Sequence, residues 1–229
     1  MKLYHYDKGT KEFTSETEAS INPLEKNKFL IPANATKVAP LASKKGYSQI
    51  FDEITKRWKY IKDSRGSLVY NILNKESKII NYLGDIEQDF TELVPKNYDK
   101  WEGAKWVTDL SLVKVHKISN LNNLCKKDIL SGFTSNALGS VYHYQSEQVD
   151  QLNLIGMVAG GVDDYFKCSL DDGSGNTTTW EYKLHTITQL KQVLNDGKAY
   201  KLSLLQKVNT LKAQANSATT KTALGKIAW

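Results

Sequence analysis

The 229-residue chain has little proline and little cysteine, four and two residues respectively. Cys125 and Cys168 stand far apart, which excludes a disulfide-stapled scaffold and suits a reducing compartment, where each serves as a small buried residue. No apolar run approaches the roughly 18 residues that a membrane-spanning helix needs. Met1 to Tyr6 carries no apolar core behind Lys2, so no secretory signal is expected and the protein is expected to be made in the cytoplasm. Excess charge is also scarce: 31 basic against 25 acidic residues leave a net +6. The lysine pairs Lys44/Lys45 and Lys126/Lys127 fall short of the basic run of about five to eight that marks a nucleic-acid patch, so neither nucleic acid nor membrane is an expected partner.

Catalytic and metal-binding patterns are equally thin. His5, His116, His143 and His185 are isolated, without the Cys/His spacing of a metal site, and each reads as structural or capping. Cys125 lies on the apolar helical stripe Leu121, Leu124, Cys125, Ile129, and Cys168 alternates with Phe166 and Leu170 on a strand. Burial would raise both thiols and make them inert. Asp171-Asp172-Gly173-Ser174-Gly175-Asn176 looks like a calcium loop, but Tyr182 occupies the place of the closing Glu, and a polar hairpin loop is the better reading. Gly156, Gly160 and Gly161 sit at a helix end, whereas a phosphate loop opens a helix. The chain is therefore expected to have no catalytic residue, no metal and no cofactor, and not to be an enzyme.

What is present is a globular composition, 40% hydrophobic and 24% charged, organised in two parts. Residues 1–115 hold all four prolines and read as short strands broken by turns. Tyr47 to Lys62 alternates on both sides of an Asp52-Glu53 turn, a hairpin of period two. Tyr98 to Val107 carries Trp101 and Trp106 around a Glu-Gly turn, and Pro32 and Pro40 bracket an extended segment. From about residue 118 the period becomes helical, with Gly132 as a C-terminal cap. A strand over Val141–Gln145 follows, then a helix capped by Ser146 with its apolar side at Val149, Leu152, Ile155 and Ala159. Strands over Tyr165–Leu170 and Thr177–Leu184 precede a Thr186/Gln189 capping box, which opens a helix expected to stop near Gly197 before a longer one. Thr219 or Thr220 caps a last short helix. No internal repeat is apparent. The expected fold is α+β: a β-rich region over 1–115 and a mixed α+β domain over 116–229.

The aromatic residues Trp58, Tyr60, Trp101 and Trp106 are the candidate site. They fill small cores in these thin segments, or they line a surface that docks onto a partner, as exposed aromatics do at binding hot spots.

The first part resembles the phage tail fibre assembly (Tfa-type) family. The resemblance runs through Leu3-Tyr4-His5-Tyr6-Asp7, Asn22-Pro23-Leu24, Phe29 to Thr36, Ala39-Pro40, Phe51 with Trp58, Asp63-Ser64-Arg65-Gly66 and Tyr98 to Val107. The second part resembles the DUF4376 family of phage tail proteins through Cys125 with Ile129, Gly132-Phe133, Ala137-Leu138-Gly139, Tyr142, Tyr144, Asp150 to Asn153, Cys168, Trp180, His185-Thr186 and Ile227-Ala228-Trp229. The first resemblance implies a partner: a tail fibre or baseplate protein, bound in a homo- or hetero-oligomer as an assembly factor or as a structural component of the virion tail. The alternative it leaves open is a receptor-binding module that stacks on host surface glycans. The second implies phage context and no chemistry.

Overall fold

The computed structural model describes residues 1–25, 27–171, 173 and 179–229, and it divides into two compact units, Met1–Thr108 and Asp109–Trp229. The architecture is α+β, with small sheets first and then helices around a larger sheet. No helix among the described residues is long and apolar enough to cross a membrane.

Unit 1 is a chain of small antiparallel sheets. β1 (Lys2–Tyr6) lies between β2 (Phe13–Glu18) and β3 (Ala35–Thr36). β4 (Tyr47–Asp52) and β5 (Arg57–Lys62) form the expected hairpin, with Phe51 opposite Trp58. β6 (Leu68–Asn71) is flanked by β7 (Ser77–Ile79) and β8 (Phe90–Thr91), and β9 (Asp99–Trp101) pairs with β10 (Trp106–Thr108).

Contrary to the reading of no repeat, three of these hairpins close with the same turn. The segments are Tyr6-Asp7-Lys8-Gly9-Thr10-Lys11-Glu12, Phe51-Asp52-Glu53-Ile54-Thr55-Lys56-Arg57 and Tyr70-Asn71-Ile72-Leu73-Asn74-Lys75-Glu76. In each, the Asp or Asn Oδ1 accepts from the amides two and three residues on: Gly9 and Thr10, Ile54 and Thr55, Leu73 and Asn74. In each, the lysine is left-handed, with φ of 61° at Lys11, 57° at Lys56 and 66° at Lys75. Asn or Gly is the usual residue there, and nothing in the structure explains why lysine holds all three positions. The backbone amides hold the carboxyls of Asp7 and Asp52 below the usual range.

The first two hairpins pack like on like. Tyr6 stacks on Phe51 at 4.9 Å, and Phe13 meets Trp58 edge-on at 5.8 Å. Phe51 N donates to Lys11 O at 2.9 Å. Arg65 binds Glu12 through both terminal nitrogens, at 2.7 and 3.1 Å, and reaches Asp63 at 2.7 and 2.9 Å. The guanidinium hydrogen bonds hold the Asp63 carboxyl down at about 2.

Unit 2 opens with α1 (Leu110–Leu130), capped by Asp109, whose side chain accepts from Ser111 N and Leu112 N. This helix starts ahead of residue 118 because of that cap, and the expected boundary between residues 115 and 116 falls within it. β11 (Phe133–Ser135) and β12 (Tyr142–Tyr144) follow, then α2 (Gln148–Gly160), β13 (Asp164–Leu170) and β14 (Glu181–His185). The four strands form one antiparallel meander in chain order. α3 (Ile187–Ser217) and α4 (Lys221–Lys226) close the chain. The Thr186/Gln189 capping box opens α3 as read, and Thr220 caps α4. Residues 172, 174–176 of the calcium-like loop and residues 177–178 of the expected strand lie outside the described residues.

Three local expectations are corrected. The N-cap of α2 is Glu147, not Ser146, and Asp150 reaches back to its amide at 3.0 Å. The apolar stripe expected to face inward on α2 faces out: Val149, Leu152 and Ile155 are 66%, 69% and 50% exposed. Leu154 is buried instead, with Met157 and Val158 packed beside it. Burying a side chain of that size is worth about 1.5–3 kcal/mol, and α2 carries two apolar stripes from which the sheet takes one. Third, α3 does not stop at Gly197. It runs through as 31 residues, because the Phe133 ring lies where a Cβ on Gly197 would come within 2.8 Å of Cζ.

One helix therefore serves two cores. Its first half adds Leu190 and Val193 to the cluster of Phe133, Tyr144, Leu154, Phe166 and Cys168. Its second half adds Leu204 and Val208 to Leu121 and Cys125 of α1, with Trp229 packed against them.

Gly to Ala inside a helix normally gains about 0.5–1 kcal/mol. Gly156→Ala, where a Cβ meets open space, is expected to show that gain in urea unfolding. Gly197→Ala is expected to reverse it, losing about 1–3 kcal/mol by overpacking against Phe133; equal gains at both sites would contradict this packing.

Candidate functional site

Three of the four sequence-selected aromatics, Trp58, Tyr60 and Trp106, share one geometry: a ring packed against a hairpin, its polar atom donating to the backbone of another segment. Trp58 follows the turn of the β4–β5 hairpin and faces Tyr6 and Phe51, with ring centroids 6.3 and 5.2 Å away. It is 6% exposed. Its Nε1 donates to Val38 O at 2.8 Å, between Pro32 and Pro40, where the expected extended segment is instead a turn at Asn34, the short strand β3 and a bend. Two residues on, Tyr60 Oη donates to Ala42 O at 2.6 Å. That ring stays on the surface, edge-on to Tyr47 at 6.0 Å, with Lys44 Nζ over both rings. Trp58 is thus an interior pin, and Tyr60 is a pin with one open face.

Trp101 and Trp106 are direct cross-strand partners on the last hairpin of unit 1, 5.2 Å apart and edge-to-face at 70°. Both are half-buried. Trp106 Nε1 donates to Leu93 O at 2.7 Å, and the adjoining Leu93 and Val94 are exposed. The structure therefore brings Trp58 and Tyr60 together on one strand and Trp101 and Trp106 together on another hairpin. Leu93 and Val94, which extend the exposed apolar surface beside Trp106, carry no periodic signal and escape a sequence reading.

Four titratable groups of unit 2, Tyr144, His185, Cys125 and Cys168, lie inside. His185 and Tyr144 are fully buried, and Tyr144 Oη lies 2.9 Å from His185 Nε2. His185 Nδ1 lies 2.8 Å from Lys183 O. A carbonyl only accepts, so Nδ1 carries the proton and Nε2 accepts from the tyrosine. Burial lowers the imidazole pKa and raises the Tyr144 phenol and the Cys168 thiol. Burial likewise raises Cys125. His143 Nε2 lies 3.3 Å from Asp171 Oδ2, within ion-pair reach but not aligned for a hydrogen bond. His5 Nε2 bonds Thr17 Oγ1 at 2.7 Å. With both ring nitrogens engaged inside the core, His185 acts as a structural strut. Among the described residues no group of three His, Cys, Asp or Glu side chains could hold a metal ion.

The family described as "Domain of unknown function (DUF4376)" matches residues 113–228. A tail fiber assembly protein of Escherichia phage lambda is 34% identical over 119 residues, 52% of this chain and 59% of that protein. A tail fiber assembly protein homolog of Escherichia coli is 39% identical over 108 residues, 47% of this chain and 51% of that protein. The tail fiber assembly protein of Enterobacteria phage T4 is 35% identical over 126 residues, 53% of this chain and 65% of that protein. The matches thus span between half and two thirds of these curated relatives' own length. No solved structure matches the chain.

The buried imidazole sets a pH dependence. The unfolded chain takes up this proton near pH 6.5, whereas the folded chain resists it, so unit 2 is expected to lose stability as pH falls below about 6.5. NMR of the His185 ring is expected to show the neutral Nδ1–H form persisting below that pH; an ordinary titration would contradict the buried strut.

Proposed function

The chain belongs to the DUF4376 family, and from that premise and its similarity to tail fiber assembly proteins we propose that it is a non-enzymatic protein of the phage tail that binds a tail fibre. The similarity to the lambda and T4 assembly proteins is the observation that carries this reading. Unit 1 has the chemistry for the contact. Its sheets have two or three strands, and although Tyr6, Phe51 and Trp58 are buried together, Tyr60, Trp101 and Trp106 keep part of their rings uncovered, a surface that suits a partner. Tyr60 and Trp106 present ring surface already fixed by hydrogen bonds, and Trp101 is held edge-to-face against Trp106, so little side-chain freedom is lost on docking. Trp58 belongs to the interior, packed on Tyr6 and Phe51. Fibre chains expose unpaired strand edges before they assemble, and a protein that covers those edges suppresses wrong pairing.

Unit 2 is an added α+β body, and we assign it a retained, structural part in the tail. The direct test is mass spectrometry and immunoblotting of purified virions from the phage that encodes the chain. The protein is expected there at a fixed ratio to its fibre. Its absence from virions, with fibre-bound protein in lysates of infected cells, would replace the retained part with a transient assembly role. Its absence from both would remove the fibre reading.

A Trp101→Ala/Trp106→Ala double variant is expected to lose fibre binding in a pull-down while its circular dichroism stays unchanged. Loss of the β signal instead would identify the pair as core.

A further inference from the structure

The surface of unit 2 carries a long groove that the tail reading does not use. It follows α3 from Leu194 to Lys212, about 27 Å at 1.5 Å per residue. α2 walls one end and α1 the other, enclosing about 170 Å³ beside Leu154 and about 420 Å³ beside Cys125. The two hollows share Ile129, Gln151 and Lys201, so they are continuous. Ile129, Leu154, Ile155, Leu194 and Leu205 supply an apolar floor among polar side chains.

Its charge is one-sided. Lys126, Lys198, Lys201 and Lys212 line it, and none of the four forms an ion pair among the described residues. The one acid in the lining is Asp150, which is engaged in capping α2. Asp128 on α1 is engaged by Trp229 Nε1 at 2.6 Å. α1, α2 and α3 make most of the walls, their backbone groups bonded internally, and β11 enters only through Phe133 at the end beside Leu154, so most of the groove's length offers no strand edge to an extended peptide. A helix brings its own backbone satisfied and presents apolar side chains at i, i+3, i+4 and i+7 along the same length. A second copy of this chain would bring another +6. Phosphate would find the lysines but not the apolar floor.

We propose that this groove binds an acidic amphipathic helix of a partner protein, apolar residues on the floor and carboxylates against the four lysines. The inference does not rest on the fibre reading, because its probe is a free peptide and its readout is binding to the full chain.

The test uses a fluorescent peptide of about 18 residues, long enough for the groove, with leucines at helical spacing and glutamates on both flanks. Anisotropy with the full chain is expected to show binding that weakens as salt rises to about 0.3 M. Binding is expected to fall by about tenfold or more in the Lys126→Glu/Lys201→Glu/Lys212→Glu variant, whose side chains stand on helix surfaces. Leu205→Asp, an independent change on the floor, is expected to weaken it as well. Equal binding of a lysine-flanked peptide, no binding by the glutamate peptide, or preference for a single-stranded oligonucleotide would overturn the proposal. So would a concentration-dependent dimer in light scattering that Leu205→Asp dissolves, because a second copy would then be the occupant.

Discussion

Unit 1 depends on aromatic side chains that donate a hydrogen bond across a gap in the sheet. A hairpin by itself is marginal in water, and Val38, Ala42 and Leu93 lie in connecting segments outside the strands. Trp58 to Val38, Tyr60 to Ala42 and Trp106 to Leu93 each give such a segment one anchored carbonyl. The ring behind each donor supplies apolar contact at the same place. In unit 2 Trp229 donates instead to the Asp128 side chain on α1 and packs on the α1–α3 cluster, tying the helix pair together. These residues join pieces that the backbone leaves apart.

Unit 2 solves the same problem with a longer element. α3 packs on the sheet through its first half and on α1 through its second, and Gly197 lies in the half that faces Phe133. The polar pair Tyr144 and His185 is satisfied inside the sheet core, which fixes one register of β12 against β13 and β14. A helix held so firmly at both ends is a stable wall for the groove along it.

Much of this was legible in the sequence. Period-two alternation located the β4–β5 hairpin, and the Glu-Gly turn located the Trp101/Trp106 ribbon. Thr186 with Gln189 located the start of α3. The failures have physical causes. Two apolar stripes on α2 satisfy the same helical period, and only the neighbouring sheet decides between them. Gly197 reads as a stop because propensity ignores the ring packed against it. The repeated turn is hidden because Asp and Asn interchange, as do Thr and Asn, and the three copies are unevenly spaced. Composition singles out the four aromatics, which the structure places as two separate pairs, and alternation on β5 does not show that Trp58 lies inside and Tyr60 at the surface. Leu93, which anchors Trp106, belongs to a loop and has no periodic signature.

The repeated turn has a consequence for how such a chain varies over time. Each copy is closed by an acid or amide and the residues immediately after it, so its geometry is specified within its own few residues. A segment of that kind can be duplicated, lost or moved as a unit without redesigning its neighbours. Unit 1 is therefore free to change length in whole hairpins, while the ring-to-carbonyl anchors decide which of those hairpins are held.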